Sequence, residues 1–190
     1  MLHDDDLTTA LKAAAAGNQE GFAVLWRSLH PAVLRYLRVL VGGAAEDVAS
    51  ETWLQVARDL HRFEGDGAAF QGWLFRIARN RAIDDQRRAG RRPEQPAEIG
   101  DQDTGAAADA ATEMFERSGT GWALRLIATL PRDQAEAVML RVVAGLDVAT
   151  TARVLGKRPG AVRVAAMRGL RRLAADPQVR RLGGISPGEV

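Results

Sequence analysis

Apolar residues recur at three- and four-residue steps along nearly the whole chain, and the period-two alternation of strands is almost absent. A chain patterned this way buries its apolar stripes by packing helix on helix, so the expected fold class is all-α. The pattern breaks once, over about thirty residues from Gly90 to about Gly121, a stretch rich in Pro, Gly, Ala and acids. An unpatterned stretch of that length is uncommon inside one compact domain, so it reads as a boundary. The expected organisation is two small helical domains, residues 1–90 and 122–176, joined by a flexible acidic linker at 91–121 and followed by a tail at 177–190.

Local punctuation divides each half. A first helix over Leu7 to Ala16 stops near Gly17-Asn18, and a second runs from Gln19 to about Val41. It carries Phe22, Leu25, Leu29, Val33, Tyr36 and Leu40 on one face, with Pro31 inside it expected to kink or split it. A third helix, Ala44 to Leu60, should bury Val48, Thr52, Val56 and Leu60. A fourth, from about Ala69 to Ala89, turns Phe70, Trp73, Leu74, Ile77 and Ala78 inward. In the second half, Trp122 to Thr129 precedes a helix from Pro131 to Ala144, with Gly145 as its C-cap. Asp147 then offers an N-cap for a short helix ending at Gly156, and Pro159 sits at the first position of a last helix reaching Ala175. Two helices meeting at Gly156-Lys157-Arg158, the second rich in arginine, read as a helix-turn-helix.

The net charge is only +2, but the charges are segregated. Seven arginines lie between Arg76 and Arg92, seven acids and no bases between Pro93 and Glu116, and six bases and no acids between Lys157 and Arg172. Two basic blocks flanking an acidic stretch suggest two surfaces for a polyanion, with solvated helix faces as the plainer reading of either block alone. On the last helix, Val162, Ala166, Leu170 and Leu173 form the stripe expected to face the partner helix. Arg163, Val164 and Met167 then face outward where a recognition helix meets base edges, and Arg168, Arg171 and Arg172 follow where phosphates are expected. On the fourth helix, Arg76, Asn80, Asp84 and Arg87 share one polar face able to hydrogen-bond base edges; an ordinary Asp84–Arg88 pair is the alternative. On the third, Asp47 and Glu51 are like charges one turn apart, with no base three or four residues beyond Glu51. They read as an acidic strip waiting for a basic partner, or in part as acids favoured by the helix dipole.

Several chemistries find no residues here. With no cysteine, disulfides and thiolate metal sites are excluded, and His3, His30 and His61 are too scattered for a metal site. No phosphate loop or nucleophile elbow is present, so neither an enzyme nor a cofactor is expected. Asp4, Asp5 and Asp6 stand where a signal peptide would be basic, and no apolar run reaches the roughly 18 residues of a membrane span. The expectation is a cytoplasmic protein without membrane insertion.

Together these segments resemble a known family. Ala45-Glu46-Asp47-Val48 through Glu51-Thr52-Trp53-Leu54, and Phe70-Gln71-Gly72-Trp73-Leu74-Phe75-Arg76-Ile77-Ala78-Arg79-Asn80 through Asp84, resemble two helices of extracytoplasmic-function (ECF) sigma factors. Leu130-Pro131 through Leu140-Arg141, Gly145-Leu146, Ala152, Leu155-Gly156, Gly160-Ala161-Val162-Arg163 and Leu170-Arg171-Arg172-Leu173 resemble their C-terminal helix-turn-helix. The resemblance runs from about Gly17 to Ala175, the linker excepted.

The resemblance implies core RNA polymerase, promoter DNA and an anti-sigma factor as partners. Asp47, Glu51 and Leu54 would dock on the clamp helices of the polymerase's largest subunit. Arg76, Asn80, Asp84 and Arg87 would engage the minus-ten element, and the loop His61 to Ala69 would hold a flipped non-template base. Arg158, Arg163, Val164, Met167, Arg168 and Arg171 would meet the minus-thirty-five element, and the acidic linker would thread near the RNA exit path. Val164, Ala165 and Met167 depart from the Ser-Arg pair and His of many members, which shifts upstream reading toward Arg158, Arg163, backbone and DNA shape. A stand-alone helix-turn-helix regulator would share the basic last helix without needing the acidic strip. A sigma-like decoy for an anti-sigma factor would keep the folds without promoter binding.

Overall fold

In a computed structural model of the chain, residues 4–90 and 119–182 are described. Among them there are helices and no strands. The first half contains α1 (Asp4–Ala15), α2 (Gln19–Val41), α3 (Ala45–Asp59) and α4 (Gly67–Ala89), with short 3-10 turns at Gly42–Ala44 and Leu60–Arg62. Caps fix the starts. Asn18 Oδ1 accepts from the Gly21 N–H at 3.0 Å, and Asp66 Oδ1 from the Ala69 N–H at 2.8 Å. Having no N–H, Pro31 removes one helix hydrogen bond, yet α2 runs through it unbroken rather than splitting. Leu29, Ala32 and Val33, on either side of it, are buried, and that packing holds the helix together.

The core of this half forms around α2. Leu25, Leu29, Val33, Tyr36 and Leu37 from α2 meet Val48, Thr52 and Val56 of α3 and Phe70, Leu74, Phe75 and Ala78 of α4. Each fully buried side chain of the Leu or Phe kind stabilises the fold by about 1.5–3 kcal/mol. Edge-to-face contacts of Tyr36 with Phe75 and of Phe22 with Trp53, centroids 5.5 and 5.9 Å apart, set the rotation of α2 against its neighbours. The residues expected to turn inward from the third and fourth helices do so, with Trp73 only half-buried.

The second half contains α5 (Gly119–Ala128), α6 (Arg132–Val138), α7 (Val148–Leu155), α8 (Pro159–Ala175) and α9 (Pro177–Leu182). The helix expected to reach Ala144 does continue past Val138, but its last stretch, Met139–Val143, widens into a π turn. Asp147 caps α7 through its Oδ1 on the Thr150 N–H at 2.9 Å, and Gly156 ends it at φ 64°, a left-handed conformation that suits glycine. Pro159 then opens α8. The segment expected as tail begins with α9, tied back by the Trp122 indole N–H donating to Gln178 Oε1 at 3.0 Å. The expected linker at 91–121 lies outside the described residues except for its last three.

One expectation for α8 is corrected. Leu170 does not face the partner helix; it is exposed, and the buried line runs through Val162 and Gly169 with Ala166 and Leu173 beside it. A Cβ on Gly169 would stand 2.8 Å from Val138 Cγ2, so α6 and α8 approach too closely there for any side chain. That contact turns the buried stripe by one residue. The two halves also pack on each other: α7 lies against α4, and α5 and α6 lie against α2.

Candidate nucleic-acid interface

Helix α4 supplies the first surface. Asp66 starts it and the inward Phe70, Leu74, Ile77 and Ala78 fix its rotation, so Arg76, Asn80, Asp84 and Arg87 all project into solvent. Asp84 pairs with Arg87, Oδ1 to Nη1 3.6 Å, and not with Arg88. An exposed pair at that distance is worth about 0–1 kcal/mol and yields readily to a ligand. Beside the N-terminal end of this face, Phe63, Phe70 and Trp73 form an aromatic cluster with centroids 5.0–5.8 Å apart. The expected base-holding loop is thus backed by rings, with Phe63 and Trp73 half-buried at its edge.

Helix α3 supplies the second surface, and here the sequence reading needs revision. Asp47 is exposed and has no ion-pair partner among the described residues, and Leu54 is 64% exposed, high for a leucine. Glu51, by contrast, is not unpaired. Its Oε2 lies 3.6 Å from Arg88 Nη2 and 3.9 Å from Arg81 Nη1, both on α4. Arg81 is held there by Gln55 Oε1, which accepts from its Nε and Nη2 at 3.1 and 2.9 Å. The partners lie thirty or more positions away in sequence, so no local spacing rule could have found them.

Helix α8 supplies the third. Arg158, Arg163, Val164, Met167, Arg168 and Arg171 are all exposed along one side, and Arg172 with them. None of these arginines has an acidic partner among the described residues. Lys157 is the exception in the basic block, its Nζ 2.5 Å from Asp133 Oδ2. A helix with four such arginines, a fifth (Arg158) at its N-cap and two exposed apolar side chains offers phosphate contacts and a dry patch suited to base edges or thymine methyls.

A fourth group escaped the sequence reading. Glu136 of α6 is 1% exposed and accepts from Arg79 of α4, Nε to Oε1 3.0 Å and Nη2 to Oε2 3.4 Å. Arg132 Nε lies 3.9 Å from the same carboxylate. Nearby, Tyr36 is fully buried; burial first, and then the Glu136 charge, hold its pKa well above the ordinary phenol value. A signal was present: Glu136 interrupts the apolar run Ala135 to Leu140, and an acid at a core position implies a buried cation. Two other groups have displaced pKa values. Asp147 is lowered by its hydrogen bonds to Thr150, and His30, stacked on Trp26 at 4.5 Å, is lowered by burial.

Among the described residues no cluster of His, Asp or Glu could hold a metal ion, and no helix is long and apolar enough to cross a membrane. The Sigma-70 region 2 family model matches residues 19–92, and the Sigma-70 region 4 model matches residues 120–173. The chain is 36% identical to the ECF RNA polymerase sigma factor ShbA of Streptomyces griseus, an alignment covering 90% of this chain and 97% of that protein. It is 33% identical to the ECF RNA polymerase sigma factor SigD of Mycobacterium tuberculosis, covering 90% and 84%. In fold it is similar to CnrH, solved in complex with the cytosolic domain of CnrY, with a TM-score of 0.63 at 22% identity, covering 95% of this chain and 99% of that one. It is also similar to the sigma factor RpoE of Bartonella quintana, solved with the anti-sigma factor NepR, with a TM-score of 0.60 at 22% identity, covering 81% and 94%. The chain belongs to the ECF sigma factors.

Proposed function

We propose that this sigma factor docks on core RNA polymerase through the α3 face of Asp47, Glu51 and Leu54 and directs initiation at promoters read by α4 and α8. In this reading Arg76, Asn80, Asp84 and Arg87 meet the minus-ten element. Arg158, Arg163, Val164, Met167, Arg168 and Arg171 meet the minus-thirty-five element. The protein acts in the cytoplasm, by binding alone, with no catalysed reaction and no cofactor of its own. The observation that carries the proposal is the exposure of all ten proposed DNA-facing side chains, nine on two separate helices and Arg158 at the N-cap of the second, beside a third helix showing Asp47 and Leu54 to solvent. An anti-sigma factor is the proposed regulatory partner, supported by the complexes in which CnrH and RpoE were solved.

Run-off transcription with purified core polymerase tests the reading. A promoter-specific transcript that depends on this protein is the expected result. A stand-alone helix-turn-helix regulator would bind the DNA without core and add no transcript, and a decoy would bind the anti-sigma factor alone; either result overturns the proposal.

A further inference from the structure

The loop expected to hold a flipped base, His61 to Ala69, is held from outside itself. It begins in the 3-10 turn Leu60–Arg62 and runs into the start of α4 at Gly67, and α1 packs against both. Between these ends Phe63 turns inward against Phe70 and Trp73, while His61, Arg62, Glu64 and Ala68 are exposed. The bend after Glu64 needs glycine. Gly65 stands at φ 150°, and a Cβ there would lie 2.9 Å from Ala69 Cβ and 3.1 Å from Phe63 Cζ.

A helix leaves its first amides without partners of its own. Asp66 covers one of them, the Ala69 N–H, as a local cap. The Gly67 N–H is covered from α1: Thr8 Oγ1 accepts it at 2.9 Å, across 59 positions of sequence. The same hydroxyl donates to Asp4 C=O at 2.8 Å, which fixes the direction of its lone pairs. Gly67 is buried, and a Cβ on it would stand 2.7 Å from Asp4 Oδ1 and 2.9 Å from Leu7 Cβ. The backbone at the start of α4 therefore rests directly on α1. In turn α1 is seated on α2, where a Cβ on Gly21 would stand 2.7 Å from Ala14 N, and its Leu7 and Leu11 are buried.

One cap is enough to start a helix, and Asp66 supplies it. Thr8 adds a link from a distant element to the one segment here whose side chains mostly face solvent. A base that leaves the stack gives up its stacking free energy, and a receiving loop that must order itself on binding would weaken capture further. A loop fixed beforehand avoids that cost.

We propose that α1 takes part in promoter opening, with Thr8 a positioning residue that holds the base-receiving loop in shape through the Gly67 amide. The proposal rests on the sigma-factor reading above and on the base-holding role that the family resemblance gives the loop. Thr8 acts through Gly67 and the adjoining Asp66, not by touching DNA.

Thr8→Val keeps the side-chain shape, removes the hydroxyl and leaves the Gly67 N–H unpaired in a buried residue; Thr8→Ser keeps the hydroxyl. In holoenzyme reconstituted with core polymerase, Thr8→Val should bind a short single-stranded non-template minus-ten oligonucleotide about fivefold or more weakly. Opening of a duplex promoter should slow by a similar factor. Co-purification with core and binding to the duplex upstream element should stay at wild-type levels, and Thr8→Ser should match wild type throughout. Wild-type oligonucleotide affinity and opening rate in Thr8→Val, an equal defect in Thr8→Ser, or a parallel loss of core co-purification would each overturn the proposal. If the unsubstituted holoenzyme yields no promoter-specific transcript, the sigma-factor reading falls and the positioning role falls with it. Normal transcription by that holoenzyme beside an indifferent Thr8→Val overturns the positioning role alone.

Discussion

Arg168, Arg171 and Arg172 are expected to act on phosphates, and the structure supplies the size of the effect. All three are exposed on α8, and none has an acidic partner among the described residues, so each can release a full counterion on binding. The slope of log affinity against log salt changes by about 0.9 for each phosphate that is no longer neutralised. Between 50 and 200 mM salt, one Arg→Ala change should therefore shrink the affinity gap between wild type and variant by about 3.5-fold. Replacing all three should shrink it by about fortyfold, provided the sites add. Lys157, already neutralised by Asp133, should contribute less when changed to Ala. The assay is promoter binding by the reconstituted holoenzyme across that salt range, on the cognate sequence and on a scrambled upstream element. The single variants should weaken both sequences alike. An unchanged slope, or a weakening confined to the cognate sequence, would refute the phosphate assignment.

Three further outcomes are expected. Reversing Asp47 and Glu51 to Lys should abolish co-purification with core polymerase while leaving the helical circular-dichroism signal intact, because the Glu51 pairs are loose and worth about 0–1 kcal/mol. Gly169→Val should destabilise the fold by about 1–3 kcal/mol in denaturant titrations, because its side chain would collide with Val138. Asp147→Ala should cost about 1 kcal/mol by removing the cap of α7. Since the folded-state pKa of Asp147 is depressed, its contribution is complete above the ordinary carboxylate value and is lost as pH falls through the lowered one; acid titration of the variant should show a shallower fall there.

The helices and their ends were legible in sequence because caps and breakers act locally. Asp147, Gly156 and Pro159 mark α7 and α8 within a few residues of where they act. Alignment of the polar faces followed from the 3.6-residue period, so Arg76, Asn80, Asp84 and Arg87 emerge together. What was missed depends on residues distant along the chain. Arg81 and Arg88 reach Glu51 across a helix pair, and Glu136 finds Arg79 57 positions away. Leu170 was misplaced for a related reason: periodicity gives Leu170 and Gly169 nearly the same claim to the core, and only the close approach of α6 selects the glycine. Pro31 shows the reverse case, a strong local breaker overruled by packing on both sides.

Asn80 offers the most direct test of the account, because it is exposed on α4 where a base edge is expected and contributes nothing to the core. A good bidentate base contact discriminates by about 1–3 kcal/mol. Asn80→Ala holoenzyme should therefore initiate poorly on a duplex promoter, with a smaller defect on a template whose minus-ten region is mismatched and already open. Arg163→Ala, assayed beside it, should relax preference at the upstream element and leave melting intact. If Asn80→Ala transcribes the duplex template as well as wild type, α4 is not the promoter-facing helix.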